Sequence, residues 1–309
     1  MSSDSHLAGQ LRIDLNWHDG QIRSVTPTLN RPLAKISQWL RTMPPELACE
    51  QVSSVFALCG QSHALAAKLA HGLVQPDGRE TRRLLQNVQL ENWREGVIRM
   101  VEYWNYPASD DEVLDLIKAL MRCSAMDEPD VSVLEEVWNN WLTGEREQQW
   151  KNRLKADLSW RYGHLDIKLE SRPLDEWLQN QADALMDDIK GRAESVLAMS
   201  SGWINPHGLC RVADSEPGSG TGLGEVRTSR GWLSHHCDDI QWQITAPTDR
   251  HFGPYGDSGW LNQQLTGVSL SCDEAVSITT RIVQAMNPCV AFRVVLVGDG
   301  GKERGSIHA

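Results

Sequence analysis

Across residues 80–199 apolar side chains recur at spacings of three and four, which limits the chain to folds with a largely helical core. The segments 80–104, 110–123, 132–158 and 173–199 each carry this amphipathic pattern. Pro173 suits a first helical turn, and the tryptophans on these segments are large packing residues. Residues 33–72 are helical by the same criterion, with Gly72 as the stop. The ends of the chain have a different period. LRIDLNW (11–17) alternates apolar and polar, HDG (18–20) is turn chemistry, and QIRSVTP (21–27) alternates again, which predicts a β-hairpin. Further strands are expected at DIQWQIT (239–245) and, after a last helix over 272–286, at CVAFRVVLV (289–297). The prediction is an α+β fold in one domain over residues 1–309: a mainly helical core with an N-terminal β-hairpin and C-terminal strands. ADSEPGSGTGLGE (213–225) reads as a flexible glycine-rich loop. Its glycines do not make GxGxxG, and no strand leads into it. Residues 299–309 read as a disordered tail.

A chain of 309 residues buries a sufficient core without disulfides or metals. Its formal net charge of −11 argues against nucleic acid and against adhesion to an anionic membrane. No stretch has the length and apolarity of a membrane span. The start, MSSDSHLAGQLRIDLNW, has no basic residues followed by an apolar run, so a cytoplasmic protein is expected. The seven cysteines (Cys49, Cys59, Cys123, Cys210, Cys237, Cys272 and Cys289) are odd in number and widely spaced, with no CxxC. That is neither a disulfide framework nor a zinc-finger pattern, and most are expected to be reduced packing residues.

Three places could carry chemistry. On a helix, Cys59 and His63 share one face at a spacing of four, which suits two transition-metal ligands. It equally suits a thiol and an imidazole on a helix of small residues (Ala57, Gly60, Ala64, Ala66, Ala67) that another element approaches closely. His235–His236–Cys237–Asp238–Asp239 is a metal tract by composition, but neighbours on a strand point to opposite faces. It reads as structural, with His235 facing inward. Cys289 follows Pro288 at the junction of the last helix and the closing strand. A Cys-dependent or metal hydrolase built on Cys59 and His63 would need a third group, which no sequence feature supplies.

Read in order, these pieces resemble the metal-binding motifs of nickel–iron hydrogenase large subunits. SVFALCGQSHALAA (54–67) resembles RxCGxCxxxHAxA, and RTSRGWLSHH (227–236) resembles RGxLxH. APTDRHFGP (246–254) is similar to P(S/T)xWNxxP, and RIVQAMNPCVAFRVVL (281–296) to RxxRxxDPCxxCxxH. The opening hairpin is also how those subunits begin. The departures are informative. Phe56 stands at the first nickel-only cysteine and Cys59 at the bridging one. Asn287–Pro288–Cys289 matches DPC, Phe292 replaces the second bridging cysteine, and Val295 stands at the terminal histidine. Leu33 and Ala34, after Arg31–Pro32, fall where the family carries its RGxE glutamate.

Two thiolates of four remain, which resembles the shortened, large-subunit-like accessory proteins of hydrogenase maturation, the HupK/HoxV type. The resemblance implies a non-enzymatic scaffold on which the Fe(CN)2CO unit is assembled or transiently held before transfer to the large subunit, with no nickel. Cys59 and Cys289 would then be the iron ligands. Arg230 matches the arginine over the diatomic ligands, and Thr248, after Pro247, matches the hydroxyl that meets a cyanide. His63 matches the histidine that hydrogen-bonds the bridging thiolate. His251 replaces the family's asparagine and Arg250 its tryptophan. Two bland readings stay open: Arg230 pairing with an acid, and Thr248 capping a turn. The implied partners are maturation chaperones of the HypC/HypD type and the hydrogenase large subunit. The alternative is a non-metal interaction protein that docks those factors.

Overall fold

The computed structural model describes residues 9–56, 58–126, 131–198, 208–213, 221–252, 259–297 and 303–308, with backbone alone for the last segment and for Arg250. The elements run β1 (Gln10–His18), β2 (Gln21–Asn30), α1 (Leu33–Leu40), α2 (Pro45–Val55), α3 (Gly60–Ala70), α4 (Arg79–Trp104), α5 (Asp110–Ser124), α6 (Val131–Trp141) and α7 (Gly144–Tyr162). They continue with β3 (Lys168–Leu169), β4 (Arg172–Pro173), α8 (Leu174–Leu197), β5 (Cys210–Ala213), β6 (Gly222–Thr228), β7 (Gly231–Cys237) and β8 (Trp242–Thr245). The chain closes with α9 (Pro247–Phe252), α10 (Gly259–Leu265), α11 (Cys272–Ala285), β9 (Ala291–Val297) and β10 (Glu303–His308). The class is α+β, as the periodicities indicate. Where the sequence suggests one domain, contacts divide the chain into two compact units, the divisions falling at Pro32, within α7 and α8, and at Thr245.

The first unit takes residues 1–32, 155–181 and 246–309. Its sheet has the order β10-β9-β1-β2, with β1 antiparallel to β2 and parallel to β9. Leu11, Ile13 and Leu15 alternate inward from β1 and are fully buried, and Val294 and Val295 of β9 are buried too. Residues 303–308, read as part of a loose tail, pair as β10 with β9, because the exposed edge of β9 offers an unfilled ladder.

The second unit, residues 33–154 and 182–245, carries helices around α4 and an antiparallel sheet in the order β5-β6-β7-β8. The helical stretch expected over 33–72 forms three helices: Pro44 and Pro45 separate α1 from α2, and a second break after Val55 separates α2 from α3. The run over 132–158 breaks into α6 and α7 at Thr143, whose hydroxyl accepts the Arg146 N–H at 3.1 Å. Trp141, Trp150 and Tyr106 form an aromatic core, with the Trp150 indole donating to the Trp104 carbonyl at 2.9 Å. The glycine-rich stretch is shorter than expected. Ala213 ends β5 and Gly222–Glu225 belong to β6, while residues 214–220 lie outside the described residues.

Helix α3 is packed on two sides, as its small residues suggest. A side chain at Gly60 would press on the Ser53 carbonyl of α2 at 2.5 Å, and one at Gly224 of β6 would strike the Ala66 carbonyl and the Ala70 amide of α3. Gly224→Ala is therefore expected to force β6 off α3 and to cost about 1–3 kcal/mol, seen as a lower denaturation midpoint.

Candidate functional site

In the second unit, Cys59 is not inside a helix. It is the N-cap of α3 (φ −138°, ψ 35°), and its carbonyl accepts the His63 N–H at 3.0 Å. A cysteine has no oxygen to cap with, and α3 takes its cap from a distance. The Glu91 carboxylate of α4 accepts the Gln61 N–H at 2.7 Å, the Ser62 N–H at 3.1 Å and the Ser62 hydroxyl at 2.8 Å. Glu91 thus satisfies the amides that a helix start leaves open. Burial nevertheless pushes its pKa up to about 7, the hydrogen bonds from Gln61 and Ser62 pulling the other way.

That shift has a sign for stability. The unfolded chain releases this proton near pH 4.5 and the folded chain near 7, so stability falls as pH rises through that window. Glu91→Gln removes the ionisation, and its stability relative to the native chain is expected to improve steadily from pH 5 to pH 8. Urea midpoints across that range check this; a constant difference would refute it.

His63 is wholly buried and stacks on Phe56, with ring centroids 3.9 Å apart and planes 12° apart. Phe56, which the resemblance sets against a nickel-binding cysteine, forms a wall for the imidazole. His63 Nδ1 lies 2.8 Å from Nε2 of His235, and the Trp242 indole donates to His235 Nδ1 at 2.9 Å. His235 faces inward from β7 while His236 is exposed, so the tract alternates as a strand must. Burial lowers the His235 pKa to about 3, with the nearby His71 acting in the same direction, which keeps the ring neutral at physiological pH.

Arg230 sits in the turn between β6 and β7, where Thr228 pairs with Gly231 and the Arg230 N–H donates to Thr228 Oγ1. Asn92 of α4 accepts the Ser229 N–H at 3.0 Å and ties this turn to the helix. The guanidinium is 3% exposed, and its Nη2 stands 3.5 Å from Glu95, itself 6% exposed. Arg94 also reaches Glu95, at 3.2 Å. Arg230 therefore pairs with a buried acid.

In the first unit, Cys289 follows a helix stop that the sequence explains. Asn287 takes a left-handed conformation (φ 54°) just past α11, and Pro288 prevents continuation. The Cys289 N–H donates to Thr248 Oγ1 at 2.8 Å, and the Thr248 hydroxyl donates to the Cys289 sulfur at 2.9 Å. Both residues are buried. The hydroxyl expected to meet a cyanide thus has the sulfur as its partner here. Pro247 opens α9, and Asp249 accepts the Ala246 N–H at 2.7 Å and the Arg31 guanidinium at 2.9 Å, fixing the Pro247–Thr248 step to the end of β2.

The structure thus brings His63 together with His235, and Thr248 together with Cys289. Cys59, His63 and Arg230 belong to one unit and Pro247, Thr248 and Cys289 to the other. Among the described residues, no group of three or more His, Cys, Asp or Glu side chains is placed to hold a metal. No described helix is long and apolar enough to cross a membrane. Glu91, Glu95, Asp249 and Trp242 are not singled out by the sequence reading. Glu91 and Glu95 had a signal: charged residues at a spacing of four inside a helix whose neighbours Leu90, Trp93 and Val97 are apolar.

No family model matches the chain. It aligns with the hydrogenase expression/formation protein HupK of Azotobacter vinelandii at 27% identity over 349 positions, covering 94% of this chain and 99% of the relative. The chain is similar to HupK over nearly its whole length. A second relative, the hydrogenase expression/formation protein HupV of Azotobacter chroococcum mcd 1, aligns at 26% identity over 348 positions with the same coverage. Coverage of 94% of this chain means that the similarity to HupK extends into both units.

Proposed function

We propose that the chain is a hydrogenase maturation protein, not a catalytic subunit, and that it holds the Fe(CN)2CO unit before transfer to the hydrogenase large subunit. The similarity to HupK over nearly the whole of both chains carries the maturation role. The finer reading assigns Cys59 and Cys289 as the two iron-binding thiolates. An iron that already bears strong-field diatomic ligands needs few protein donors, and a cargo must also leave, which two thiolates permit more readily than four. Thr248 holds Cys289 through both its N–H and its sulfur, and Arg230 offers a guanidinium to a cyanide. Pro247 sets the start of the segment that carries Thr248. Chaperones of the HypC/HypD type would deliver or accept the unit, within the cytoplasm.

The deciding experiment is co-production with the maturation machinery, anaerobic purification, iron analysis and infrared spectroscopy. Bound iron with CN and CO stretches is the expected result. Iron-free protein that still co-purifies with chaperones or the large subunit would instead establish the second reading, a docking protein without metal.

A further inference from the structure

We propose that Trp242 and His235 are positioning residues that commit His63 to a single tautomer, neutral with its proton on Nε2, so that His63 is a hydrogen-bond donor and not an iron ligand. The contacts fix each proton in turn. An indole nitrogen only donates, so the 2.9 Å contact from Trp242 Nε1 makes His235 Nδ1 an acceptor without a proton. A neutral imidazole has one proton, which His235 must then carry on Nε2. That nitrogen lies 2.8 Å from His63 Nδ1, which becomes an acceptor in turn, and the proton of His63 is left on Nε2. A charged His63 would carry protons on both nitrogens and oppose N–H to N–H across that contact. Ligation through Nε2 would require stripping the proton to give an imidazolate.

The surroundings allow little escape. His63 and His235 are wholly buried, Trp242 is 4% exposed, and Phe56 stacks flat on His63, so a ring flip would break the relay and disturb the stack. Trp242 also stands edge-on to His71, which packs it from a second side. Cys59 is the N-cap of α3 and His63 lies in its first turn, four positions on, and the relay decides between them: the thiol is left for the metal and the imidazole for donation. Neutral donation to a bound thiolate or cyanide draws charge off the iron's ligands without adding a bond that release must break. This functional part rests on the iron-holding reading. The tautomer does not.

The test has two arms. Nitrogen NMR of the iron-free full chain with 15N-histidine, assigned through single His→Gln variants, reads which ring nitrogens are protonated. Protons on Nε2 of both His63 and His235, with scalar coupling across the 2.8 Å N–H···N contact, are expected. A proton on Nδ1 of either ring overturns the proposal, whatever the fate of the iron. The second arm uses iron-loaded chain. His63→Gln retains an N–H donor but no imidazole, and His235→Gln can accept from Trp242 and donate to His63. Both are expected to keep wild-type iron content, whereas His235→Leu shifts the CN and CO bands. Iron loss in His63→Gln as complete as in Cys59→Ser would identify a ligand and overturn the proposal. Absence of iron from the wild type would remove the iron-holding reading and leave the NMR result standing.

Discussion

Replacing Cys59 or Cys289 by serine is expected to strip iron from the chain and with it every CN and CO band, while Cys272→Ser leaves both unchanged. A serine oxygen is a harder donor, protonated at neutral pH, and it does not replace a thiolate on low-spin iron. With only two anchoring thiolates, loss of either leaves a single protein bond, so each single variant should resemble the double variant. The folding cost should be small in both cases. Cys59 makes no side-chain cap for α3, whose amides are held by Glu91, and the hydroxyl introduced by Cys59→Ser could even add a local cap. Cys289→Ser would retain the backbone N–H bond to Thr248. Unchanged melting with lost iron is therefore the signature of ligation. Iron content equal to wild type in both single variants would sink the assignment, and iron loss accompanied by unfolding would move the cysteines from chemistry to packing.

The ends of the molecule are legible in the sequence because their signals are local. Alternation with HDG between the strands gives β1 and β2 close to their true limits, and the NPC motif contains its own explanation in a left-handed asparagine and a helix-stopping proline. The breaks at Pro44–Pro45 and Thr143 are also written locally, in breaker and capping residues that an apolar period alone overruns. The site's wiring is different in kind. Glu91 reaches amides thirty residues away and Trp242 selects the tautomer of a histidine that itself pairs 172 positions back. Such partners are set by which faces the fold brings together, and periodicity contains no trace of them. The resemblance sets His63, Thr248 and Arg230 around a metal and its ligands, but only the fold shows that their partners are His235, Cys289 and Glu95.

Arg230→Ala should be the most destabilising change at the site, at about 3 kcal/mol, because it leaves the buried Glu95 with a partner removed. Arg94 stays beside Glu95 at 3.2 Å, but it is one-quarter exposed and its attraction is screened, which keeps the cost toward the lower end for a broken buried pair. If the pair is the source of the loss, Glu95→Gln and Arg230→Ala will not add: the double variant should be more stable than the sum of the single effects predicts. Additive effects would mean that the two side chains matter separately. Arg230→Lys then separates folding from cargo. A lysine keeps the charge near Glu95 and most of the stability, but it lacks the planar fork that can serve a carboxylate and a cyanide at once. Iron-loaded Arg230→Lys is expected to melt close to wild type while its CN stretches shift and its CO stretch moves less. CN bands at wild-type positions in a well-folded Lys variant would confine Arg230 to its pairing with Glu95 and leave the cyanides to be recognised by other groups.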